Sequence, residues 1–135
     1  MEKVLIIIPT YNEAENISQI IKEIFNCSTN VHILVVDDSS PDGTNFLVKK
    51  LINIYPAKLH LLNRIEKKGL GPAYIDGFKW ALHNEYSQIF EMDADFSHDP
   101  SEIDKMIRIL NDGFDLVIGS RYKSGINVLN WPIGR

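Results

Sequence analysis

Asp93-Ala94-Asp95 stands where the apolar run Ile89-Phe90-Glu91-Met92 ends, two carboxylates separated by one small residue. Carried out of a strand into a loop, this pair can hold a hard divalent cation against a diphosphate. Acidic residues at strand ends also start turns and cap helices, so the spacing alone is weak. It gains meaning from other polar segments that follow apolar runs: Pro9-Thr10-Tyr11-Asn12-Glu13, then Asp37-Asp38-Ser39-Ser40-Pro41-Asp42-Gly43-Thr44, then Gly119-Ser120-Arg121-Tyr122. In a mostly parallel sheet ligands bind beyond the carboxyl ends of the strands, which would bring these loops and Asp93-Ala94-Asp95-Phe96-Ser97-His98 to one rim.

At that rim Tyr11 suits stacking on a base, and Glu13 or Asp38 suits accepting hydrogen bonds from ring nitrogens or ribose hydroxyls. Glu13 also suits the positive end of a following helix, and Asp42 reads as the cap of the next one. Asp37 and Asp38 are adjacent carboxylates that repel unless a cation or donor groups compensate them. A guanidinium at Arg121 can neutralise phosphate charge through a bidentate contact. His98, beside Asp99-Pro100, is read as shaping a turn rather than as a base, and His32, His60 and His83 as structural. Gly69-Leu70-Gly71 lacks the Lys-Ser/Thr of a nucleotide-binding P-loop; Arg64 with Lys67 and Lys68 before it could lean over a nucleotide diphosphate, but reads rather as a solvated loop.

The elements that must position these residues alternate along the chain, which indicates one α/β domain. Val4 to Ile8 and Val31 to Val36 are continuous β-branched runs, the pattern of central strands covered on both faces. Leu59 to Leu62, Ile89 to Met92 and Leu116 to Ile118 are shorter strand candidates. Ile17, Ile20, Ile21, Ile24 and Phe25 recur at helical spacing, with Asn12 and Glu15 forming a capping-box start. A second helix is expected over about Gly43 to Tyr55 with Phe46, Leu47, Leu51 and Ile54 inward. A third, about Pro72 to Asn84, would turn Tyr74, Ile75, Phe78 and Leu82 to the core. A fourth begins at Asp99-Pro100-Ser101-Glu102, continues through Ile103, Met106, Ile107 and Leu110, and stops at Asn111-Asp112-Gly113. Residues 122–135 have no periodicity and read as loop. A chain ending in such a segment is expected to be the front of a longer protein.

The 135 residues suffice for one core, and 44% hydrophobic with 24% charged residues is ordinary for a globular domain. A net charge of -4 argues against nucleic acid as a partner, since such binding draws on lysine and arginine to displace counterions. The single cysteine, Cys27, excludes an internal disulfide, and no Cys/His spacing suggests zinc. The expected compartment is reducing and cytoplasmic. The apolar run at Val4 to Ile8 is far short of the roughly 20 residues that span a bilayer, so contact with a membrane is expected to be peripheral.

Ile8-Pro9-Thr10-Tyr11-Asn12-Glu13, Val35-Val36-Asp37-Asp38-Ser39-Ser40-Pro41-Asp42-Gly43-Thr44, Asp93-Ala94-Asp95, Gly119-Ser120-Arg121-Tyr122 and Asn130-Trp131-Pro132-Ile133-Gly134-Arg135 together resemble the ordered motifs of family-2 glycosyltransferases of the GT-A fold. Ser97-His98-Asp99-Pro100 and the Trp-Pro-x-x-Arg ending are most similar to the polyprenol (dolichol) phosphate mannose synthases. The resemblance implies a Rossmann-like, mostly parallel sheet flanked by helices. It also implies inverting transfer of mannose from GDP-mannose to a polyprenyl phosphate at a membrane surface, with Mg²⁺ or Mn²⁺. By motif position Pro9, Tyr11, Glu13, Val36 and Asp38 would line the guanosine pocket. Asp93, Ala94 and Asp95 would hold ribose, diphosphate and metal, with Asp95 the most direct ligand, and Ser97 stands where some relatives have Gln. Arg121 would face the phosphates and Arg135 the acceptor phosphate. Residues 1–122 would then form the nucleotide-sugar domain and 123–135 a loop leading to an acceptor-binding part or membrane anchor beyond the sequence. The alternatives are a UDP-glucose enzyme with the same motifs, a nucleotide-binding module without turnover, and a phosphoacceptor receiver domain. The last is disfavoured because receivers carry their acidic pair after the first strand, and here it follows the second.

Overall fold

The computed structural model describes residues 3–65, 69–113, 116–119 and 126–129. Four parallel strands form the main sheet: β1 (Val4–Thr10), β2 (Val31–Asp37), β3 (Leu59–Asn63) and β4 (Gln88–Glu91), in the order β3-β2-β1-β4. Between them run α1 (Ile17–Cys27), α2 (Thr44–Ile52) and α3 (Leu70–His83). A single 3-10 turn, Pro100–Glu102, opens α4 (Ile103–Asn111), and β5 (Leu116–Gly119) pairs with β6 (Ile126–Leu129) in a separate antiparallel ladder.

The order of strands dictates where the helices go. From β1 to β3 each crossover steps the same way across the sheet, and from β3 to β4 the chain steps back past β1. Crossovers between parallel strands are right-handed, so reversing the step moves the helix to the other face. Accordingly α1, α2 and α4 cover one face, packing on Ile6, Ile8, Ile33 and Val35. Helix α3 covers the other, packing on Leu5, Ile7, Leu34 and Val36. Strands covered on both faces must be apolar at every position, and Leu5, Ile6, Ile7 and Ile8 are all fully buried.

The α/β class and the five strands expected from the sequence are present, with ends shifted by a residue or two. Four local readings need correction. Helix α1 starts at Ile17 rather than after a capping box at Asn12: Asn12 has φ 57°, and the Glu13 carbonyl accepts the N–H groups of Asn16 and Ile17. Helix α2 buries Thr44, Val48 and Leu51, whereas Phe46 and Ile54 are exposed. In α3 the seated face is Ala73, Gly77 and Ala81, with Tyr74 and Phe78 half-buried and Ile75 and Leu82 exposed. A Cβ at Gly77 would lie 2.9 Å from Ile7 Cγ2, so it is the missing side chain that lets α3 lie close on β1. Finally, the segment read as loop contains strand β6, four residues with no alternation to announce it. The start of the fourth helix is as expected, with the Asp99 side chain accepting from the Ser101 N–H.

Candidate functional site

The step reversal in the sheet falls between β1 and β4, and the carboxyl ends of such strands are the usual ligand position in a doubly wound sheet. The chain leaves β1 into residues 11–16 and leaves β4 into residues 92–99, with the Met92 N–H still donating to the Ile7 carbonyl at 3.0 Å. The β2 tip stands beside them, its Asp38 N–H donating to the Thr10 carbonyl at 3.1 Å. Three of the four polar segments picked out in the sequence therefore share one rim. The fourth, around Arg121, and the motif that ends at Arg135 lie outside the described residues.

The β2 tip is organised by Asp37. Its buried carboxylate accepts from the Thr10 hydroxyl at 2.7 Å, the Ser40 hydroxyl at 2.6 Å and the Ser40 N–H at 3.0 Å. These donors supply the compensation that two adjacent carboxylates require, and they leave Asp37 no open side. Asp38 is also buried, and Arg64 Nε lies 3.2 Å from its Oδ1 and 3.5 Å from Oδ2 of Asp76 on α3. The reading of Arg64 as a solvated loop residue is thus overturned: a cation between two carboxylates at a strand tip is drawn inward by them.

Residues of the second loop then fasten the first. The Ser40 hydroxyl accepts the Asn12 N–H at 2.9 Å, the Thr44 hydroxyl accepts the Glu13 N–H at 3.0 Å, and Asp42 Oδ2 accepts the Ala14 N–H at 3.0 Å. Asp42 Oδ1 also accepts the Thr44 N–H at 3.1 Å, but the cap position of α2 expected for Asp42 is held by Gly43, with no side-chain cap bond. Slight burial works against its charge, but the Thr44 hydroxyl and the Ala14 and Thr44 N–H groups hold its carboxyl below the usual range. The sequence reading passed over Ser40 and Thr44; their signal was a hydroxyl two or three residues beyond each of two acidic residues, the spacing of side-chain-to-backbone turns.

On the β4 side, Asp95 Oδ1 accepts the Ser97 N–H at 3.0 Å, and Ser97 donors hold the Asp95 carboxyl below its ordinary value. Asp93 Oδ1 accepts from the Tyr74 hydroxyl at 3.2 Å, the Ser97 hydroxyl lies 3.5 Å from Asp93 Oδ2, and the Asp93 N–H donates to His98 Nδ1 at 3.1 Å. His98 is therefore the turn-shaping residue expected. Asn12, Ser39 and Phe96, one in each loop, all have positive φ (57°, 54° and 65°). Non-glycine residues in that region each cost on the order of 1 kcal/mol or more, and such strain concentrates at functional sites.

Glu13 faces this acidic edge. Burial raises its carboxyl above the ordinary value, a hydrogen bond with Asn16 opposes the rise, and the charges of Asp95, Asp42 and Asp93 add to it. Glu13 thus feels the charges of Asp42, Asp93 and Asp95. Among the described residues no group of three or more His, Cys, Asp or Glu is arranged to hold a metal unaided. Asp93, Asp95 and the Ser97 hydroxyl fit instead a hard cation that keeps one or two carboxylates and takes its remaining oxygens from phosphate. Tyr11 is exposed at the rim, and Pro9 is half-buried. Val36 and Ala94 are buried in the two cores, at 0% and 3% exposed.

A mostly parallel doubly wound sheet with acidic loops at its switch point is the arrangement of nucleotide-sugar transferases of the GT-A type. The model for glycosyl transferase family 2 matches residues 5–135, and the chain belongs to that family. Over 131 residues it is 48% identical to the polyprenol monophosphomannose synthase of Mycolicibacterium smegmatis, covering 97% of this chain and 49% of that protein. It is 44% identical to the dolichol-phosphate mannosyltransferase of Pyrococcus furiosus over 98% of this chain and 37% of that one. The chain thus spans about half or less of the curated relatives it matches. Among solved structures, the mannosyltransferase PcManGT of Pyrobaculum calidifontis, in complex with GDP-Man and Mn²⁺, superimposes with TM-score 0.58 at 30% identity, covering 69% of this chain and 27% of that one. S. aureus TarS in complex with UDP gives TM-score 0.69 at 23% identity over 82% of this chain and 32% of that one, a likeness of fold.

Proposed function

We propose that this chain is the donor-binding part of an inverting glycosyltransferase that moves mannose from GDP-mannose to the phosphate of a polyprenol at a membrane surface. What supports the reading is that the loops carrying Glu13, Asp38, Asp93 and Asp95 leave the ends of β1, β2 and β4, three strand tips joined by backbone hydrogen bonds. The names of the mannosyltransferase relatives support the sugar and the lipid. The Mn²⁺ complex of PcManGT supports a divalent cation, Mn²⁺ or Mg²⁺, as the cofactor.

In this reading Tyr11 offers its ring to the base, and Glu13 and Asp38 accept from base or ribose, with Pro9 beside them and the buried Val36 backing the pocket. Asp95, Asp93 and the Ser97 hydroxyl hold the cation, which when bound neutralises charge on the diphosphate. Ala94, buried behind them, fixes the spacing of the two carboxylates. Arg121 serves the phosphates and Arg135 the acceptor by motif position. No dedicated base is required, because a phosphate monoester has its second pKa near 6 and is already anionic at neutral pH. Residues 1–122 form the donor unit and 123–135 lead toward acceptor-binding parts. Among the described residues no helix is long and apolar enough to cross a membrane. The polyprenyl acceptor named for the relatives supports action at a membrane surface, which we propose is the cytoplasmic face.

The test is a thermal-shift screen of GDP, UDP, GDP-mannose and UDP-glucose with Mn²⁺, followed by labelled transfer to polyprenyl phosphate. Stabilisation by the guanosine ligands and a lipid-extractable mannosyl product are expected. Stabilisation by uridine ligands alone would overturn the donor.

A further inference from the structure

Helix α3 lies on the face of the sheet away from α1 and α2, and the sequence reading gave Tyr74 to its core. The structure gives it a second contact: it is half-buried against the core cluster on this face of the sheet, while its hydroxyl reaches Asp93 Oδ1 at 3.2 Å. A phenol hydroxyl keeps its proton in the neutral range, so it is the donor in this contact. The Asp93 N–H is engaged by His98, and the Ser97 hydroxyl stands 3.5 Å from Oδ2. Of the two carboxylate oxygens, then, Oδ1 is held from the helix side and Oδ2 turns toward the loop that carries Asp95. The reach of the hydroxyl is set by how closely α3 sits on β1, which Gly77 permits.

We propose that Tyr74 is a positioning residue of the cation-diphosphate site, its phenol fixing Asp93 so that the remaining oxygen is presented to the ligand. The proposal rests on the cation reading given above. Without that donor the carboxylate rotates about its Cβ–Cγ bond and the cation must order it on binding, which weakens binding only when the cation is present.

Tyr74→Phe keeps the ring and removes the donor. Calorimetry with GDP is expected to give roughly tenfold weaker affinity in Mn²⁺, the scale of one hydrogen bond to a charged group. Affinity in EDTA and the ligand-free melting temperature should stay close to those of the parent. In an Asp93→Ala background the same substitution should have no further effect. Parent-like Mn²⁺-GDP affinity in Tyr74→Phe, an equal loss with and without Mn²⁺, or a full loss in the Asp93→Ala background would each overturn the role of Tyr74. Absence of any Mn²⁺ dependence in the parent would instead overturn the cation reading, and this inference with it.

Discussion

Replacing Asp37 with alanine separates the frame of the site from its ligand-facing groups. Asp37 is fully buried and takes three donors: the Thr10 hydroxyl at 2.7 Å, the Ser40 hydroxyl at 2.6 Å and the Ser40 N–H at 3.0 Å. Hydrogen bonds to a charged group contribute about 1.5 to 3 kcal/mol each, so a plain sum would be roughly 4.5 to 9 kcal/mol. That sum is too large, because one carboxylate serves all three donors and its removal recovers the cost of burying the charge. What remains is the cost of buried neutral donors left without an acceptor, about 1 to 3 kcal/mol each, so a loss of about 3 kcal/mol or more is expected. Asp37→Asn keeps one oxygen but turns an amide N–H toward a donor, so it should fall between parent and alanine. Urea unfolding followed by circular dichroism reads this directly: with a slope of about 1 to 3 kcal/mol/M, the midpoint should drop by about 1 M or more. A parent-like midpoint accompanied by weakened nucleotide binding would refute the reasoning and make Asp37 a ligand residue.

Gly77→Ala gains helix propensity of up to about 1 kcal/mol yet forces a methyl to 2.9 Å from Ile7 Cγ2, and overpacking of this kind costs about 1 to 3 kcal/mol. A net destabilisation on the order of 1 kcal/mol is expected in the same unfolding assay, whereas a gain in stability would show that α3 has room to move. Stability should also fall in mild acid. Burial first lowers the pKa of His32 and His60 beneath the ordinary 6.5; His60, Lys3 and Lys58 add to this at His32, and at His60 a backbone hydrogen bond to Ala57 opposes it while Lys3 adds. The Tyr86 hydroxyl lies 2.6 Å from His32 Nδ1, and Trp80 packs on His60. The unfolded chain therefore takes up protons first as pH drops through 6.5, and this contribution is complete above that pH and lost below it. Urea midpoints at pH 7.5 and 5.5 should differ in that direction for the parent and by less in His32→Gln; equal shifts would contradict the assignment.

Much of the fold was legible because the central strands are covered on both faces. Continuous runs such as Leu5-Ile6-Ile7-Ile8 have few other structures open to them, and polar residues immediately after them had to fall at the ligand edge. Helix faces were harder to read. Phe46 and Ile54 sit at plausible inward spacing, but Thr44 is tied to the first loop by its hydroxyl, and that fixes which side of α2 turns in. In α3 the inward stripe is Ala73, Gly77 and Ala81, small residues that a search for large apolar ones overlooks. At the site, the acidic residues were found from their spacing, but their division of labour was not. Asp37 and Asp38 are neighbours in sequence, yet one is saturated by hydroxyl and amide donors and the other faces Arg64, a distinction made by residues 10, 40 and 64 from three different segments. Strand β6 was missed because a four-residue strand next to glycine carries almost no periodic signal.

The central claim is that the acidic strand tips act together with a divalent cation and a nucleotide diphosphate. Calorimetric titration of GDP into the protein, with Mn²⁺ and then with EDTA, for the parent and for Asp95→Ala, tests it most directly. The account predicts that binding to the parent weakens in EDTA, and that Asp95→Ala loses about 1 to 3 kcal/mol of affinity in Mn²⁺ while matching the parent in EDTA. Equal affinities for parent and variant in Mn²⁺ would contradict it.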